Sequence, residues 1–326
     1  MISRLHETPF AYRFLNLKNG AAITKLPFVV GGATQQGTDH KLDNQNNQDA
    51  ISVYIESELI IGVICDGCSG THDYLRNTIS NNEVGAKLLA YATCQGVREL
   101  ALTADTIDSD VFIRSLNKEL SQKLISFLSA FTSDDEEQKE IFIFDFMMAT
   151  ILGFVITPEQ YFIFGCGDGI VGVNDQITIL DEEGSYFASS ILPQCCPSKY
   201  SLVSDLNCLK LITIGETTGL QNIFLSTDGF SDIVQKYKSE LLRLFHNPEL
   251  TVKENFDYLL ADFRNSFLQN EIISKFCAER RWPRDDASFL LLRRTNMIST
   301  SDPGRDDSTE KVDFKSDLEM KDDSAN

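Results

Sequence analysis

Short apolar runs of strand type occur in two groups along this chain, and long helical stretches separate the groups. The first group comprises FVVGGA, DAISVYI and LIIGVIC, and the second comprises ATILGFVI, QYFIFG, IVGV and QITIL, followed later by NIFLST and ASFLLLRR. The runs are rich in β-branched and aromatic residues, and polar turn residues separate them, as in antiparallel meanders. Because strands and helices come in blocks and do not alternate one by one, the order predicts an α+β layered fold.

Two stretches between the strand groups have helical periodicity. Residues 82–97 form the first, and residues 109–131 form the second, where apolar residues recur every four positions at Phe112, Leu116, Leu120, Leu124 and Leu128. That spacing predicts a helix with one apolar stripe for packing. The acidic run DDEEQKE at 134–140 is expected to be a solvated loop, and a helical region is expected after TDGFSDIV, up to about residue 280.

Composition supports one folded domain with two polar ends. Of 326 residues, 42% are hydrophobic, enough for a large core, and no Pro/Gly/Ser-rich linker divides the middle of the chain. We predict an extension over 1–27, a folded domain over 28–295 and a tail over 296–326. The tail carries nine acidic and four basic residues between Asp302 and Asp323, which predicts disorder.

Net charge and cysteine usage limit which cellular compartment and which binding partners are expected. A formal charge of −19 argues against a nucleic-acid-binding protein, which needs a cationic face. The N-terminal residues lack the apolar core of a signal peptide, and no run approaches the ~18 apolar residues of a membrane span. The eight cysteines are too dispersed for a disulfide scaffold, so reduced thiols in a cytoplasmic protein are expected.

Aspartates recur at the ends of the apolar runs. The segments are NQDA with Asp49, VICDG with Asp66 and Gly67, FGCGDG with Asp168, LSTDG with Asp228, and RDDAS with Asp285 and Asp286. One Asp-Gly pair alone is usually a turn. Converging carboxylates would repel one another without a cation between them, and hard oxygen ligands suit Mg²⁺ or Mn²⁺.

These segments share their order with a known family. The series NQDA, CDG, a helix opening with EVGAKLL, ATILGFVI, FGCGDG, LSTDGFSD and RDDASFLLL resembles the metal-dependent protein phosphatases of the 2C type, in their bacterial-like branch. The resemblance runs from about Gly31 to Arg294. It implies a four-layer α-β-β-α sandwich, in which two mainly antiparallel sheets pack face to face with helix pairs outside. It also implies a substrate-selecting flap at about 181–210.

The resemblance further implies a chemistry, the hydrolysis of phosphoserine and phosphothreonine in proteins by a water bridging two divalent metals, Mg²⁺ or Mn²⁺. The implied core ligands and catalytic residues are Asp49, Asp66, Asp228 and Asp285, with the backbone carbonyl of Gly67 as a further ligand and Asp168 and Asp232 as the positions of an optional third ion. Sequence alone does not separate Asp285 from Asp286. The implied partner is a phosphorylated protein substrate, and we expect a monomer that opposes a Ser/Thr kinase and binds neither nucleic acid nor membrane.

Two positions depart from the family pattern. Many members carry a phosphate-clamping Arg where this chain has Asn44, and His40 and Lys41 are the nearby candidates for the phosphate contact. His40 is preferred, with a solvated loop histidine as the alternative. Cys68 in DGCSG stands where eukaryotic members often have a His. The missing Arg keeps a second hypothesis open, a weak or inactive pseudophosphatase that binds phosphoproteins, although the retained aspartates weigh against it.

Two other motifs carry no function. The G-x-G-x-x-G series at 167–172 would need to open a helix to bind a dinucleotide, and its continuation IVGVNDQITIL predicts strands. The Cys65-x-x-Cys68 pair lacks a second ligand pair in zinc spacing.

Overall fold

The computed structural model describes most of the predicted domain and two short strands before it. The described residues are 6–8, 11–13, 24–43, 45–68, 81–103, 108–181, 185–201, 208–245 and 284–295. All of them belong to one compact unit, Met1–Asn296. The predicted tail and most of the predicted extension therefore lie outside the described residues, and the domain boundaries stay a prediction.

The secondary structure follows the order expected from the sequence. The strands are β1 (His6–Thr8), β2 (Ala11–Arg13), β3 (Phe28–Gln35), β4 (Ala50–Glu56), β5 (Leu59–Cys65), β6 (Ile151–Ile156), β7 (Gln160–Cys166), β8 (Gly169–Val173), β9 (Gln176–Leu180), β10 (Lys210–Glu216), β11 (Asn222–Ser226) and β12 (Ala287–Arg294). The helices are α1 (Thr38–Leu42), α2 (Glu83–Thr103), α3 (Ser109–Phe131), α4 (Glu136–Phe146), α5 (Leu192–Cys195) and α6 (Ser231–Phe245), with 3₁₀ turns at Phe187–Ile191, Thr217–Gly219 and Asp228–Phe230.

The strands form two five-stranded sheets in which every neighbouring pair is antiparallel. The first sheet has the order β10-β7-β6-β5-β4, and the second has the order β3-β12-β11-β8-β9. Strands β1 and β2 pair separately with each other. The α+β prediction with two antiparallel sheets is confirmed.

Alternation along β5 shows why its sequence is apolar throughout. Ile60 and Ile64 pack in the core between the two sheets, whereas Ile61, Val63 and Cys65 pack in the core on the helix side. Successive side chains of a strand point to opposite faces, so a strand covered on both faces needs no polar positions. Both faces of the run LIIGVIC are therefore covered, and all its residues are buried.

Helices cover the outer faces of both sheets. The apolar stripe of α3, together with α2 and α4, shares one buried cluster with the first sheet. On the second sheet, Phe224 and Phe289 stack at 6.1 Å on the face opposite the central core, and Lys238 of α6 donates a hydrogen bond to the carbonyl of Ile177 in β9. None of the helices in the described ranges is long and apolar enough to cross a membrane. The rest of the helical region expected up to about residue 280 lies outside the described residues.

Two local predictions were wrong or incomplete. Part of the acidic run at 134–140 is the first turn of α4, because Asp135 caps the helix by accepting a hydrogen bond from the backbone N–H of Glu137, and acidic side chains favour a helix N-terminus. Strand β10 was not predicted, since it lies at the sheet edge and its residues alternate only weakly in burial. Helix α3 was predicted correctly at both ends, and α2 continues six residues beyond the predicted Val97.

Candidate active site

Strand register brings the predicted aspartates to one end of the sandwich. Ala50 of β4 pairs with Cys65 of β5, so Asp49 and Asp66, the next residues outward, are neighbours. In the second sheet, Ser226 of β11 pairs with Phe289 of β12 and with Ile170 of β8. Asp228, Asp285 and Asp168 therefore flank the same end of that sheet. The electrostatic interaction of Asp66 with Asp49, Asp228, Asp285 and Asp168 shows that the two sheets contribute to one carboxylate cluster.

Asp49 is the most buried member of the cluster. It is 1% exposed, and its Oδ2 accepts a hydrogen bond from Thr227 Oγ1 at 3.0 Å. Its other oxygen, Oδ1, is also buried and makes no hydrogen bond of good geometry within the described ranges. A buried carboxylate oxygen without a hydrogen bond is costly, so this atom is suited to a cation.

Asp66 and Gly67 are held by backbone contacts at the end of β5. The carbonyl of Asp66 accepts a hydrogen bond from the N–H of Thr150 at 2.8 Å, and the N–H of Gly67 donates to the carbonyl of Gln48 at 3.2 Å. A Cβ on Gly67 would lie 2.8 Å from the carbonyl oxygen of Asn82 and 2.9 Å from that of Gln48. Only glycine fits this close backbone approach, which explains the Asp-Gly sequence at this point.

Crowding and burial shift the carboxyl pKa values upward. Burial raises the pKa of Asp49 to about 8, and the charge of Asp286 adds to the shift. Burial also raises the pKa of Asp66 well above its ordinary value, with the charge of Asp49 as the next cause. The pKa of Asp228 rises to about 6 through desolvation and the charges of Asp168 and Asp285. The cluster thus holds more negative charge than its surroundings stabilise, which is the electrostatic condition for binding cations.

The structure separates the roles of the adjacent pair Asp285 and Asp286. Asp286 is 2% exposed, and its carboxylate accepts hydrogen bonds from the backbone N–H groups of Gly37 at 2.7 Å and Gln48 at 2.5 Å. Asp285 is exposed and lies at the mouth of the site. Asp286 therefore joins the loops around α1 and β4 to the start of β12. The Oδ1 of Asp285 accepts a hydrogen bond from the N–H of Asp286 at 2.8 Å, and most of the Asp285 side chain is exposed.

His40 is buried against these two carboxylates. Its Nδ1 lies 2.9 Å from Asp286 Oδ2 and its Nε2 lies 3.4 Å from Asp285 Oδ1. The distance between Nδ1 and Asp286 is that of an ion pair, but the angle between the two groups is not that of an aligned hydrogen bond. The interaction with Asp286 raises the pKa of His40, and burial opposes that rise. The alternative of a solvated loop histidine is excluded, whereas the phosphate contact stays a prediction.

The other predicted site residues are less buried than Asp49, and one of them, Asp168, interacts electrostatically with Asp66 and Asp228. Lys41 is exposed on α1, Asp232 is exposed in the first turn of α6, and Asp168 is half-buried between β7 and β8. Gly167 and Gly169 flank Asp168 with φ values of +96° and +132°, which glycine adopts most readily. Strand β8 follows directly, so the G-x-G-x-x-G series does not open a helix.

Tyr186 was not among the site residues predicted from the sequence. Burial raises the pKa of Tyr186, and the charges of Cys68, Asp168 and Asp66 add to the rise, which places its hydroxyl near the carboxylate cluster. Tyr186 immediately precedes the 3₁₀ turn at Phe187–Ile191, inside the predicted flap. Nothing in the sequence around it distinguished it from a core aromatic residue.

The expectation of reduced cysteines throughout was wrong for one pair. Cys166 and Cys208 form a disulfide with a Cα–Cα distance of 5.6 Å. Because Lys210 of β10 pairs with Gly165 of β7, the residues just before β10 lie beside the end of β7. The disulfide thus joins the end of the flap to the loop that carries Asp168.

Comparison with known proteins identifies the family. A sequence model of protein phosphatase 2C matches residues 36–267, which is more than half of the chain and includes Asp49, Asp66, Asp168 and Asp228. The chain belongs to the protein phosphatase 2C family. Members of this family are protein serine/threonine phosphatases that use divalent metal ions. No curated protein matches the chain.

Solved structures of bacterial phosphatases are similar at low identity. Serine/threonine phosphatase Stp1 from Staphylococcus aureus is 14% identical with a TM-score of 0.47, over 85% of this chain and 99% of that one. PppA from Pseudomonas aeruginosa is 15% identical with a TM-score of 0.46, over 82% and 97%. The catalytic domain of PstP, in complex with two manganese ions, is 13% identical with a TM-score of 0.44, over 82% and 99%.

Proposed function

We propose that this phosphatase hydrolyses phosphoserine and phosphothreonine in proteins, with two divalent ions held by its strand-end aspartates. The observation that carries the proposal is the convergence of carboxylates from both sheets around Asp66. Beside it, the buried Oδ1 of Asp49 makes no hydrogen bond of good geometry within the described ranges. A protein without a cation at this point would retain an unfavourable cluster of like charges. The donor set therefore fits hard divalent ions.

Each side chain has a proposed role in holding these ions. Asp49, Asp66, Asp228 and Asp285 would supply the core carboxylate ligands, and Gly67 would supply its backbone carbonyl. Asp168 and Asp232 would hold a third ion. When bound, the ions lower the pKa of a water and polarise the phosphoryl oxygens for in-line attack.

The remaining residues of the site position these ligands. Thr227 holds one oxygen of Asp49 by a hydrogen bond, which leaves the other oxygen for an ion. Asp286 fixes the backbone of Gln48, the residue before Asp49. The ring of carboxylates would repel a phosphate, so substrate binding depends on the cations. Lys41, exposed on α1, is the proposed side-chain contact to the phosphate.

The proposal extends to the setting in which the enzyme works. We expect a phosphoprotein substrate, opposition to a Ser/Thr kinase, a monomeric state and a cytoplasmic location. The flap around Tyr186 lies beside the cluster and would take part in substrate selection. Mg²⁺ and Mn²⁺ are both consistent with carboxylate and carbonyl ligands.

The test is hydrolysis of a phosphothreonine peptide and of p-nitrophenyl phosphate with Mn²⁺, Mg²⁺ or EDTA. We expect activity with metal and none with EDTA. Asp66→Asn and Asp228→Asn should each lower kcat/KM by at least about 100-fold, because each removes a ligand charge. The matched control is Asp134→Asn, which removes a fully exposed carboxylate and should leave kcat/KM unchanged.

Two results would contradict the proposal. Wild-type turnover in both site variants would show that the carboxylate cluster is not the active site. Inactivity of folded, metal-loaded protein on both substrates would favour the phosphoprotein-binding pseudophosphatase instead.

A further inference from the structure

We propose that His40 is a metal ligand, with its Nε2 bound to the same ion as Asp285. The inference rests on the proposed function and makes it more specific, because it adds a nitrogen donor to a set made otherwise of oxygen atoms. It also assigns His40 to the metal and leaves the phosphate contact to Lys41.

The orientation of the imidazole supports this assignment. Asp286 lies 2.9 Å from Nδ1 of His40, which leaves Nε2 as the ring nitrogen directed toward Asp285. A ligating histidine commonly has its second nitrogen held by a carboxylate, which fixes the tautomer and the ring plane. Asp286 is suited to this supporting role because its buried carboxylate is anchored by two backbone N–H groups.

The distances match two donors of one ion. Nε2 of His40 and Oδ1 of Asp285 are 3.4 Å apart. Adjacent ligands of an octahedral ion at ~2.1 Å are separated by roughly 3.0 Å, so a small adjustment places one ion against both atoms. Donor atoms of His40, Asp285 and Asp286 all lie within 4.8 Å of one another. This spacing is close enough for the three side chains to surround one metal ion.

A second observation points to an ion at this place. The buried Oδ1 of Asp49 makes no hydrogen bond of good geometry with a described residue, and the Asp49 charge acts directly on His40. An ion held by His40 and Asp285 would also neutralise part of the charge of this carboxylate.

A nitrogen donor changes the metal preference. Imidazole binds first-row transition-metal ions, of which Mn²⁺ is the weakest binder, whereas Mg²⁺ strongly prefers oxygen. We therefore expect His40→Gln to weaken Mn²⁺ binding by about 10- to 100-fold and to change the Mg²⁺ affinity much less. The matched control is Lys25→Gln, which alters an exposed residue that pairs with Glu58 and has no role in the site, and should leave the Mn²⁺ affinity unchanged.

The deciding experiment is pulsed EPR of the full-length protein loaded with Mn²⁺. We expect a ¹⁴N coupling of directly bound imidazole in the wild-type protein, its replacement by a ¹⁵N coupling after labelling with ¹⁵N-histidine, and its loss in His40→Gln. The labelling arm needs no variant and establishes whether a histidine is the donor. Because the chain has four histidines, His6→Gln, His72→Gln and His246→Gln assign it if His40→Gln does not fold: we expect the coupling to persist in all three, and its loss in any one of them overturns the assignment of His40.

The outcomes separate the two proposals. Tight Mn²⁺ binding without any nitrogen coupling, or a coupling that survives in folded His40→Gln, overturns the assignment of His40 and leaves the phosphatase proposal intact. Failure of the wild-type protein to bind Mn²⁺ overturns both.

Discussion

At the scale of single residues, the site combines burial with like charge. Asp49 is enclosed at the start of β4, and its pKa is raised to about 8 by burial and by neighbouring carboxylates. Each unit of pKa shift corresponds to about 1.4 kcal/mol, so ionised carboxylates crowded at one buried point lower the stability of the fold. Selection for stability alone would therefore not place them there. Strain of this kind is typical of functional sites, where a bound ion reverses the balance.

We predict that the metal-free protein loses thermal stability as the pH rises from about 5 to 8. The pKa of Asp49 in the folded state lies above its ordinary value of 3.8, so the folded state holds a proton that the unfolded state has released. The stabilisation that the Asp49 proton gives to the folded state is therefore complete below about pH 4. It disappears as the pH approaches the folded-state pKa of Asp49. Unfolding in EDTA, followed by circular dichroism at several pH values, measures the effect.

Asp49→Asn is the variant that isolates this contribution. It should flatten the pH dependence and raise the melting temperature of the metal-free protein at pH 8, because the amide cannot ionise. Asp134→Asn changes an exposed carboxylate far from the cluster in sequence and should reproduce the wild-type curve. Parallel curves for wild type and Asp49→Asn would show that burial of Asp49 does not govern the stability.

Residue types at the site were predictable to different degrees. Most metal-ligand candidates stood out because each follows or precedes an apolar strand, whereas Asp232 lies in the first turn of α6. Asp286 could not be separated from Asp285 in sequence, since only the contacts to Gly37 and Gln48 distinguish the two. Tyr186 carried no sequence signal, because a flap aromatic residue and a core aromatic residue look alike until the chain is folded.

At the scale of elements, short-range signals decided most boundaries. The four-residue spacing of apolar side chains specified α3 at both ends. An acidic loop was expected where α4 begins, but Asp135 caps the helix there and stabilises its first turn. Strand β10 depended on pairing with β7, which is a long-range interaction that no local pattern reports.

The disulfide between Cys166 and Cys208 is predicted to stabilise the flap end of the first sheet. It closes a loop with a sequence separation of 42, and a loop of that length restricts the unfolded chain by roughly 4 kcal/mol in the chain-entropy model. A reducing agent should therefore lower the free energy of unfolding of the wild-type protein by up to about that amount, measured by urea titration with and without the reductant.

The double variant Cys166→Ser/Cys208→Ser provides the control for this prediction. Its stability should resemble that of the reduced wild-type protein, and it should not respond to the reductant. A reductant effect of equal size in wild type and double variant would show that the stabilisation arises elsewhere.

Of the remaining cysteines in the described ranges, Cys65, Cys94, Cys195 and Cys196 are buried thiols.

At the scale of the whole molecule, the core between the sheets holds the two halves of the site together. Ligand candidates come from β4 and β5 in one sheet and from β11 and β12 in the other, so the site exists only when the sheets are packed. Ile60 is fully buried in that core, beside residues of both sheets. Packing there should therefore control both stability and the geometry of the carboxylates.

We predict that Ile60→Ala lowers the free energy of unfolding by about 2–5 kcal/mol, because it leaves a cavity between the sheets. Ile214→Ala is the matched control, since the same side chain on edge strand β10 is 47% exposed. That variant should change the stability by about 0.5 kcal/mol or less. Urea unfolding of both variants gives the comparison, and equal losses would contradict the assignment of the central core.

By itself, the sequence determined the fold class, the extent of the main strands and the order of the motifs that mark the phosphatase family. It could do so because side-chain periodicity and the position of aspartates beside apolar runs are local properties that can be read directly from the sequence. The match of the family model over residues 36–267 rests on the same ordered information.

Only the tertiary structure decided how distant segments meet. The hydrogen bond from Thr227 to Asp49, the contact of His40 with Asp286 and the disulfide between Cys166 and Cys208 all join residues that lie far apart in the chain. Burial and electrostatic interaction depend on distances in three dimensions, and those distances are set by the register of the antiparallel strands and the packing of one sheet on the other. The chemistry of the site is therefore a property of the folded sandwich.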